Sequence, residues 1–216
     1  MSDEPSLTLL PTPELVATTR AILANPGGFD WKINGLGFIR LDLDGNDYRL
    51  NVWDRRLCTI DRAVIHTHPW DLESLVLSGA VRNREFHVGD NSLHIHTNPH
   101  LATHYGVRIN LDDAIADQKP ALYELGKRET AVWAAGEGYR LARGEAHATD
   151  YLAGTVTLVR RTNRDPSRRA GIWWPKADGD TWQDPPTQTP DEDVIWNACQ
   201  LALATWREVD SFGFGT

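Results

Sequence analysis

Two histidines one residue apart, followed five residues later by a glutamate, form the densest set of metal-binding side chains in this sequence. The stretch is His66-Thr67-His68-Pro69-Trp70-Asp71-Leu72-Glu73. On a strand, residues i and i+2 project to the same side. His66 and His68 are therefore expected to present two imidazoles together, with Thr67 opposite. Pro69 and Trp70 turn the chain, and Glu73 returns at the start of the next strand, where it can point at the same spot. Imidazole nitrogens plus a carboxylate oxygen suit Fe(II), Mn(II), Ni(II) or Zn(II), whereas calcium wants more oxygens. A third imidazole is available in the distant segment 136–159, GEGYRLARGEAHATDYLAGTVTLV. There Gly144 permits a tight turn and His147 opens the following strand. The bland reading of His66 and His68 is a solvent-exposed pair, but Val64, Ile65 and Leu75 to Leu77 around them are core-like. For His147 the bland reading is a core histidine hydrogen-bonded to backbone.

Other side chains are candidates for a pocket wall. Asn51 shares a strand face with Arg49 and Trp53, and Asn83 lies on a later strand. Each is either pocket-lining or solvated. Trp70 either walls the site or packs on Pro69. A second histidine group, His94, His96, His100 and His104, falls in a polar stretch without a framing strand and reads as loop histidines, or as part of a lid. His87 ends a strand whose register the sequence does not fix. Glu145 reads as a turn residue, and Trp173 and Trp174 as core cover.

These groups need a scaffold to bring them together. Thr12-Pro13-Glu14 opens a helix, with a capping residue and then proline where its missing N–H is harmless. Leu15, Val16, Ile22 and Leu23 mark one of its faces, and Pro26-Gly27-Gly28 ends it. The period then changes. Residues 38–54 alternate apolar with polar on both sides of Asp44-Gly45-Asn46-Asp47, which predicts a hairpin. Further short strands are expected at 63–68, 73–78, 80–88, 121–126, 130–135, 138–142, His147–Leu152 and 155–161. Between Gly89 and Pro120 the periodicity is weak, so a long loop is expected, of the kind that often serves as a lid. A proline-rich connector starts at Trp173. Thr189-Pro190-Asp191-Glu192 then reads as a capping box opening a last helix, with Val194, Ile195, Ala198, Leu201, Ala202 and Thr205 on one face.

Composition narrows the function. The 216 residues are 41% hydrophobic with a formal charge of −8, which argues against a nucleic-acid partner. Five arginines fall in residues 160–169, but Asp165 and Pro166 among them make a solvated loop the better reading. No apolar run approaches the roughly 20 residues of a spanning helix. The acidic, proline-broken N-terminus does not read as a signal peptide. Cys58 and Cys199 share no motif, which favours free thiols and a cytoplasmic location. Nine tryptophans are a heavy load, suited to a core or to the walls of a small-molecule pocket.

The two histidine segments resemble the two motifs of the cupin superfamily. In the first motif, glycine is followed by five residues, H-x-H, three or four residues, glutamate, six residues and glycine. His66, His68 and Glu73 match; Gly79 arrives one residue early, and Ile60 stands at the leading glycine. In the second motif, Gly136, Gly144 and His147 match, with Ala142 in place of proline and Tyr151 in place of asparagine. The H-x-H-P-W-D phrase is similar to small bacterial cupins distantly related to thiol dioxygenases.

Many short strands at this spacing, between two helices, suggest a sandwich or small barrel, and the resemblance implies a mostly β fold. It would be a single cupin (double-stranded β-helix, or jelly-roll) barrel at residues 31–165, with an N-terminal helical segment at 1–30 and a connector with a C-terminal helix at 166–216. It further implies one divalent metal, with Fe(II) favoured over Zn, Ni or Mn, held by His66, His68, Glu73 and His147. In thiol-dioxygenase-like cupins three histidines suffice, and Glu73 would then lie outside the ligand set or act as an acid/base. The function implied is a non-haem Fe(II) oxygenase, dioxygenase-like, acting on a small organic molecule. The alternatives are a non-redox lyase or isomerase, or a binding protein without catalysis. A homodimer is the assembly the resemblance suggests, with neither membrane nor nucleic acid as partner.

Overall fold

The computed structural model describes residues 9–43, 47–58, 64–90, 101–107, 117–165, 170–175 and 188–211, with side chains described at 9–43, 47–58, 64–86, 130–165, 170–171 and 188–206. The described chain is mostly β: two antiparallel sheets and two helices. Helix α1 spans Pro13–Ala24, and the Thr12 hydroxyl accepts from the Leu15 N–H at 3.2 Å, capping it as the sequence predicts. The strands are β1 (Trp31–Asn34), β2 (Leu36–Leu43), β3 (Tyr48–Cys58), β4 (Ile65–His66), β5 (Asp71–Ser78), β6 (Ala80–Asp90), β7 (Leu101–Val107), β8 (Asp117–Ala134), β9 (Gly138–Leu141), β10 (Ala146–Tyr151), β11 (Val156–Thr162) and β12 (Ala170–Pro175). Helix α2 spans Glu192–Ser211.

The first sheet runs β1-β2-β3-β11-β5-β9. Strict alternation gives it two different faces. Ile39, Leu41, Leu50, Val52, Leu75, Leu77, Val156 and Leu158 point one way and pack with Leu23 of α1 and with Ala198, Cys199, Ala202 and Trp206 of α2. Trp31 joins this core and satisfies its indole N–H on the Pro26 carbonyl at 3.1 Å. The opposite face carries Arg40, Asp42, Arg49, Asn51, Trp53, Leu72, Val76, Thr157, Val159 and Arg161. This face looks at the second sheet, because Leu72, Val76, Val159, Tyr139 and Leu141 share a cluster with Val81, with Trp133 and Tyr151 packed against it.

The second sheet pairs β4 with β12, β12 with β7, β7 with β8, β8 with β6 and β6 with β10, and β10 meets β4 again through His147 and His66. The two sheets share no strand: the second runs round on itself through the β10–β4 pairing and the two sheets face each other, so they do not together close the single barrel that the resemblance implied.

Three elements differ from the sequence reading. The stretch 89–120, expected as a loop, holds the end of β6, all of β7 and the start of β8; its polar residues hide the alternation that hydrogen bonding to neighbouring strands imposes. Trp173 and Trp174, expected at the start of a connector, lie in β12 opposite His104 and Thr103. Helix α2 begins at Glu192 rather than at Pro190. The Asp191 carbonyl accepts its first bonds, from Val194 and Ile195 at 3.0 and 3.1 Å, and Gln188 is instead tied to Ile33. Cys58 and Cys199 are free thiols; Cys199 is buried and Cys58 half-buried. Among the described residues no helix is long and apolar enough to cross a membrane.

Candidate metal centre

His66, His68 and His147 converge, with one potential ligand nitrogen from each lying within 4.8 Å of the others. Two remote segments meet here because β10 pairs with β4: His147 is the Cα partner of His66. On its other side His66 faces Ile172 of β12, so the two-residue strand β4 is fixed from both flanks. His68 lies just past the end of β4. Its carbonyl accepts from the Gly144 N–H at 3.1 Å, and the Thr67 N–H bonds to the Gly171 carbonyl at 2.8 Å. The ring centroids lie 4.3 Å (His66–His147), 4.9 Å (His66–His68) and 5.1 Å (His68–His147) apart.

The ring nitrogens suit a metal. Nδ1 of His66 lies 2.9 Å from the Val64 carbonyl, and Nδ1 of His147 lies 3.4 Å from the Glu145 carbonyl. With a proton on each Nδ1, those contacts leave Nε2 as a lone-pair donor, the usual arrangement around metal-bound imidazoles. Nδ1 of His68 is buried without a hydrogen-bond partner among the described residues. Burial lowers the pKa of all three. For His68 and His147, which fall well below the ordinary 6.5, the neighbouring imidazoles lower it further. The three rings are thus neutral at pH 7, the form that binds metal. Three imidazoles in a partly buried setting can hold a divalent transition ion and leave further coordination positions open.

Glu73, the fourth expected ligand, lies elsewhere. It shares strand parity with Leu75 and Leu77, which point toward the helices, whereas Leu72 and Val76 point toward the second sheet. It is the register partner of Arg140 and Arg160. Its carboxylate is ion-paired with Arg140 and lies 3.4 Å from Nε of Arg160. It is not one of the three grouped donors.

The four expected wall residues are all buried. Trp70 stacks on His68, with centroids 5.2 Å apart and planes at 19°. Asn51 and Trp53 both donate to the Thr157 hydroxyl, at 3.3 and 3.1 Å, and Trp53 packs between Phe38 and Tyr151. Asn83 accepts from the Thr149 hydroxyl at 2.8 Å, one β10 pleat away from His147. His94, His96 and His100 lie outside the described residues. His87 and His104 are placed only as backbone, opposite Gly126 and Trp173.

A charged group that sequence reasoning did not assemble occupies the same inner face. Asp42 sits among Arg49 at 3.1 Å, Arg40 and Arg161 at 3.7 Å, and Lys32 at 3.9 Å. Burial raises the Asp42 pKa, but Arg49, Arg40 and Arg161 overcome this and hold it below the ordinary carboxylate value. Burial pushes Arg49 down to about 9 and Arg161 down to about 10, and both stay cationic at neutral pH. The guanidinium of Arg161 lies 5.4 Å from the Trp70 ring centre. The available signal was Arg49 sharing a face with Asn51 and Trp53; the convergence of three strands was not visible.

No model of a protein family matches the chain, and no curated protein matches it significantly. Among solved structures the chain is similar to hydroquinone 1,2-dioxygenase from Sphingomonas sp. TTNP3 with 4-hydroxybenzoate bound, at 14% identity and a TM-score of 0.31. That likeness covers 55% of this chain and 61% of the other, so the chain spans less than two thirds of that protein's length. At this level it bears on neither fold nor chemistry.

Proposed function

We propose that the chain is a cupin-like, metal-dependent enzyme, with its cupin body at residues 31–165, and that His66, His68 and His147 hold one divalent ion, Fe(II) in the working enzyme. The reaction class is oxygenation of a small organic molecule. One observation carries the reading: three neutral imidazoles from two remote segments, His147 buried and His66 and His68 half-buried, are grouped within 4.8 Å, and the buried Nδ1 of His68 has no hydrogen-bond partner among the described residues. A histidine cluster of this kind leaves buried polar atoms unsatisfied unless something binds there.

When bound, Fe(II) supplies one-electron chemistry toward dioxygen at open coordination positions. The protein's own groups do the rest. The Val64 and Glu145 carbonyls fix two imidazole tautomers. Trp70, stacked on His68, and the Phe38–Trp53–Tyr151 aromatic row limit the access of water. Glu73, committed to Arg140 and Arg160 on the other face of the sheet, takes no part in the ligand set of this reading.

The test is metal analysis of untagged protein, followed by anaerobic titration of the metal-free protein with Fe(II), Zn(II), Mn(II) and Ni(II). One equivalent bound by wild type and none by His66→Ala is the expected result. Oxygen uptake by the iron form with candidate small organic molecules then separates oxygenation from lyase or isomerase chemistry. Equal metal binding by wild type and His66→Ala would overturn the reading.

A further inference from the structure

Arg49 and Arg161 bring positive charge into the protein interior, and described neighbours do not complete their hydrogen bonding. Nη2 of Arg49, and Nε and Nη2 of Arg161, are buried without a hydrogen-bond partner among the described residues. The two residues are 9% and 3% exposed. Within the buried cluster three guanidiniums surround one carboxylate, Asp42. The other charges near Arg161 are Arg164 and the exposed Asp47, which lie 3.7 Å from each other. A buried donor without an acceptor costs free energy comparable to a lost hydrogen bond, and a buried charge costs more. Among the described residues nothing answers these donors.

The position of the cluster favours a ligand. Arg161 lies over Trp70, and Trp70 stacks on His68, so one indole ring links the Arg161 guanidinium to the histidine group. The charges of Arg49 and Arg161 are felt at His68. Apolar side chains border them on that face, beside the polar Asn51 and Thr157: Leu72 is the register partner of Arg161, and Val159 that of Arg49. An apolar surface with a few convergent charged donors suits an organic anion better than an inorganic one. Nε and Nη2 of one guanidinium form the planar fork that takes both oxygens of a carboxylate.

We propose that Arg49 and Arg161 bind the carboxylate of a small organic acid whose remaining atoms lie toward His66, His68 and His147. Its role as substrate rests on the metal-centre reading; the anion site itself needs no metal.

The test uses metal-free wild-type protein titrated with acetate and phenylacetate, each against its uncharged amide, and with inorganic phosphate. Tryptophan fluorescence and calorimetry are the readouts. The expected result is saturable binding of a carboxylate, with its amide weaker by about tenfold or more. Arg161→Gln and Arg49→Gln are expected to weaken the carboxylate by a similar factor. Arg161→Lys, which keeps the charge and loses the fork, falls between and carries the test if Arg161→Gln does not fold. His66→Ala is expected to lose metal and keep carboxylate binding, so failure of the metal reading leaves a separate signature. The proposal is overturned by equal affinity for acid and amide, tighter binding of phosphate, unchanged affinity in folded arginine variants, or no saturable carboxylate binding at millimolar concentration.

Discussion

His147 stands directly opposite His66 across the β10–β4 pairing, with ring centroids 4.3 Å apart. The contact joins residues far apart in sequence through a single register pair, so the backbone ladder itself sets the spacing of two candidate ligands. Losing an outer partner of a metal ligand typically costs 10–100-fold in affinity, at order of magnitude. Losing a ligand should cost more. His147→Ala is therefore expected to weaken Zn(II) or Fe(II) binding by about 100-fold or more, read by competition with a chelator. An affinity unchanged from wild type would show that this pairing does not build a metal site.

Glu73→Gln separates the sequence motif from the geometry. The carboxylate is buried, and both of its described cationic partners lie on the strands flanking β5. Neutralising it leaves Arg140 and Arg160 without that counter-charge. The expected loss is about 1–3 kcal/mol, the range for removing one partner of a charged hydrogen bond when the cations left behind stay partly exposed to water. Metal affinity is expected to stay within about twofold, since ligand loss would cost far more. Urea denaturation and metal titration of the same sample check both halves, and a collapse of metal binding would return Glu73 to the ligand set.

The contrast between Glu73 and the histidines shows what was legible in the sequence. His66 and His68 share a side because i and i+2 on a strand must do so, and the second histidine segment was visible as a motif. Glu73 follows a turn at Pro69 and Trp70, and spacing alone does not say on which parity the strand resumes. The register with Arg140 and Arg160 settles it. The hairpin strands at residues 38–54 were legible from alternation, with Ile39, Leu41 and Leu43 on the helix-facing side. The turn residues Asp44 to Asn46 lie outside the described set. Arg40, Arg49 and Arg161 were not assembled because each sits on its own strand, and only the pairing of β2, β3 and β11 brings them together. Strand β7 was missed because its sequence, LATHYGV, shows little alternation without its two neighbours.

Acid should destabilise the metal-free protein before its carboxylates titrate. Burial lowers the folded-state pKa of His66, His68 and His147 from 6.5, most strongly for the latter two. The unfolded chain therefore binds more protons than the folded one below the unfolded pKa, so stability falls as pH falls. The contribution is fully present above about pH 7 and declines as pH drops through 6.5 toward the lowered folded values. Urea midpoints measured between about pH 8 and pH 5 should fall across the lower part of that range. In a folded variant with His68 and His147 replaced by glutamine, the decline should be much smaller. An equal slope in both proteins would place the titrating groups elsewhere.

Gly79 and Gly136 both have positive φ, +76° and +88°, but their surroundings differ. A Cβ at Gly136 would meet nothing within 4 Å. Gly136→Ala therefore carries only the left-handed backbone cost, about 1–2 kcal/mol. A Cβ at Gly79 would collide with the Thr155 hydroxyl and come within 2.9 Å of the Thr155 Cα. Thr155 has little room to retreat, because its hydroxyl accepts from the Ala80 N–H at 3.1 Å and donates to the Ala80 carbonyl at 3.0 Å. Those bonds hold the step from β5 in the first sheet to β6 in the second, the step that places Asn83 on the inner face. Overpacking adds about 1–3 kcal/mol to the backbone cost, so Gly79→Ala should be the more destabilising of the two in urea denaturation. A paired loss of the Asn83–Thr149 contact should appear as a changed near-ultraviolet signal from Tyr139 and the adjacent aromatic cluster. If the two alanine variants unfolded at the same midpoint, Thr155 would not be the obstruction that the geometry indicates.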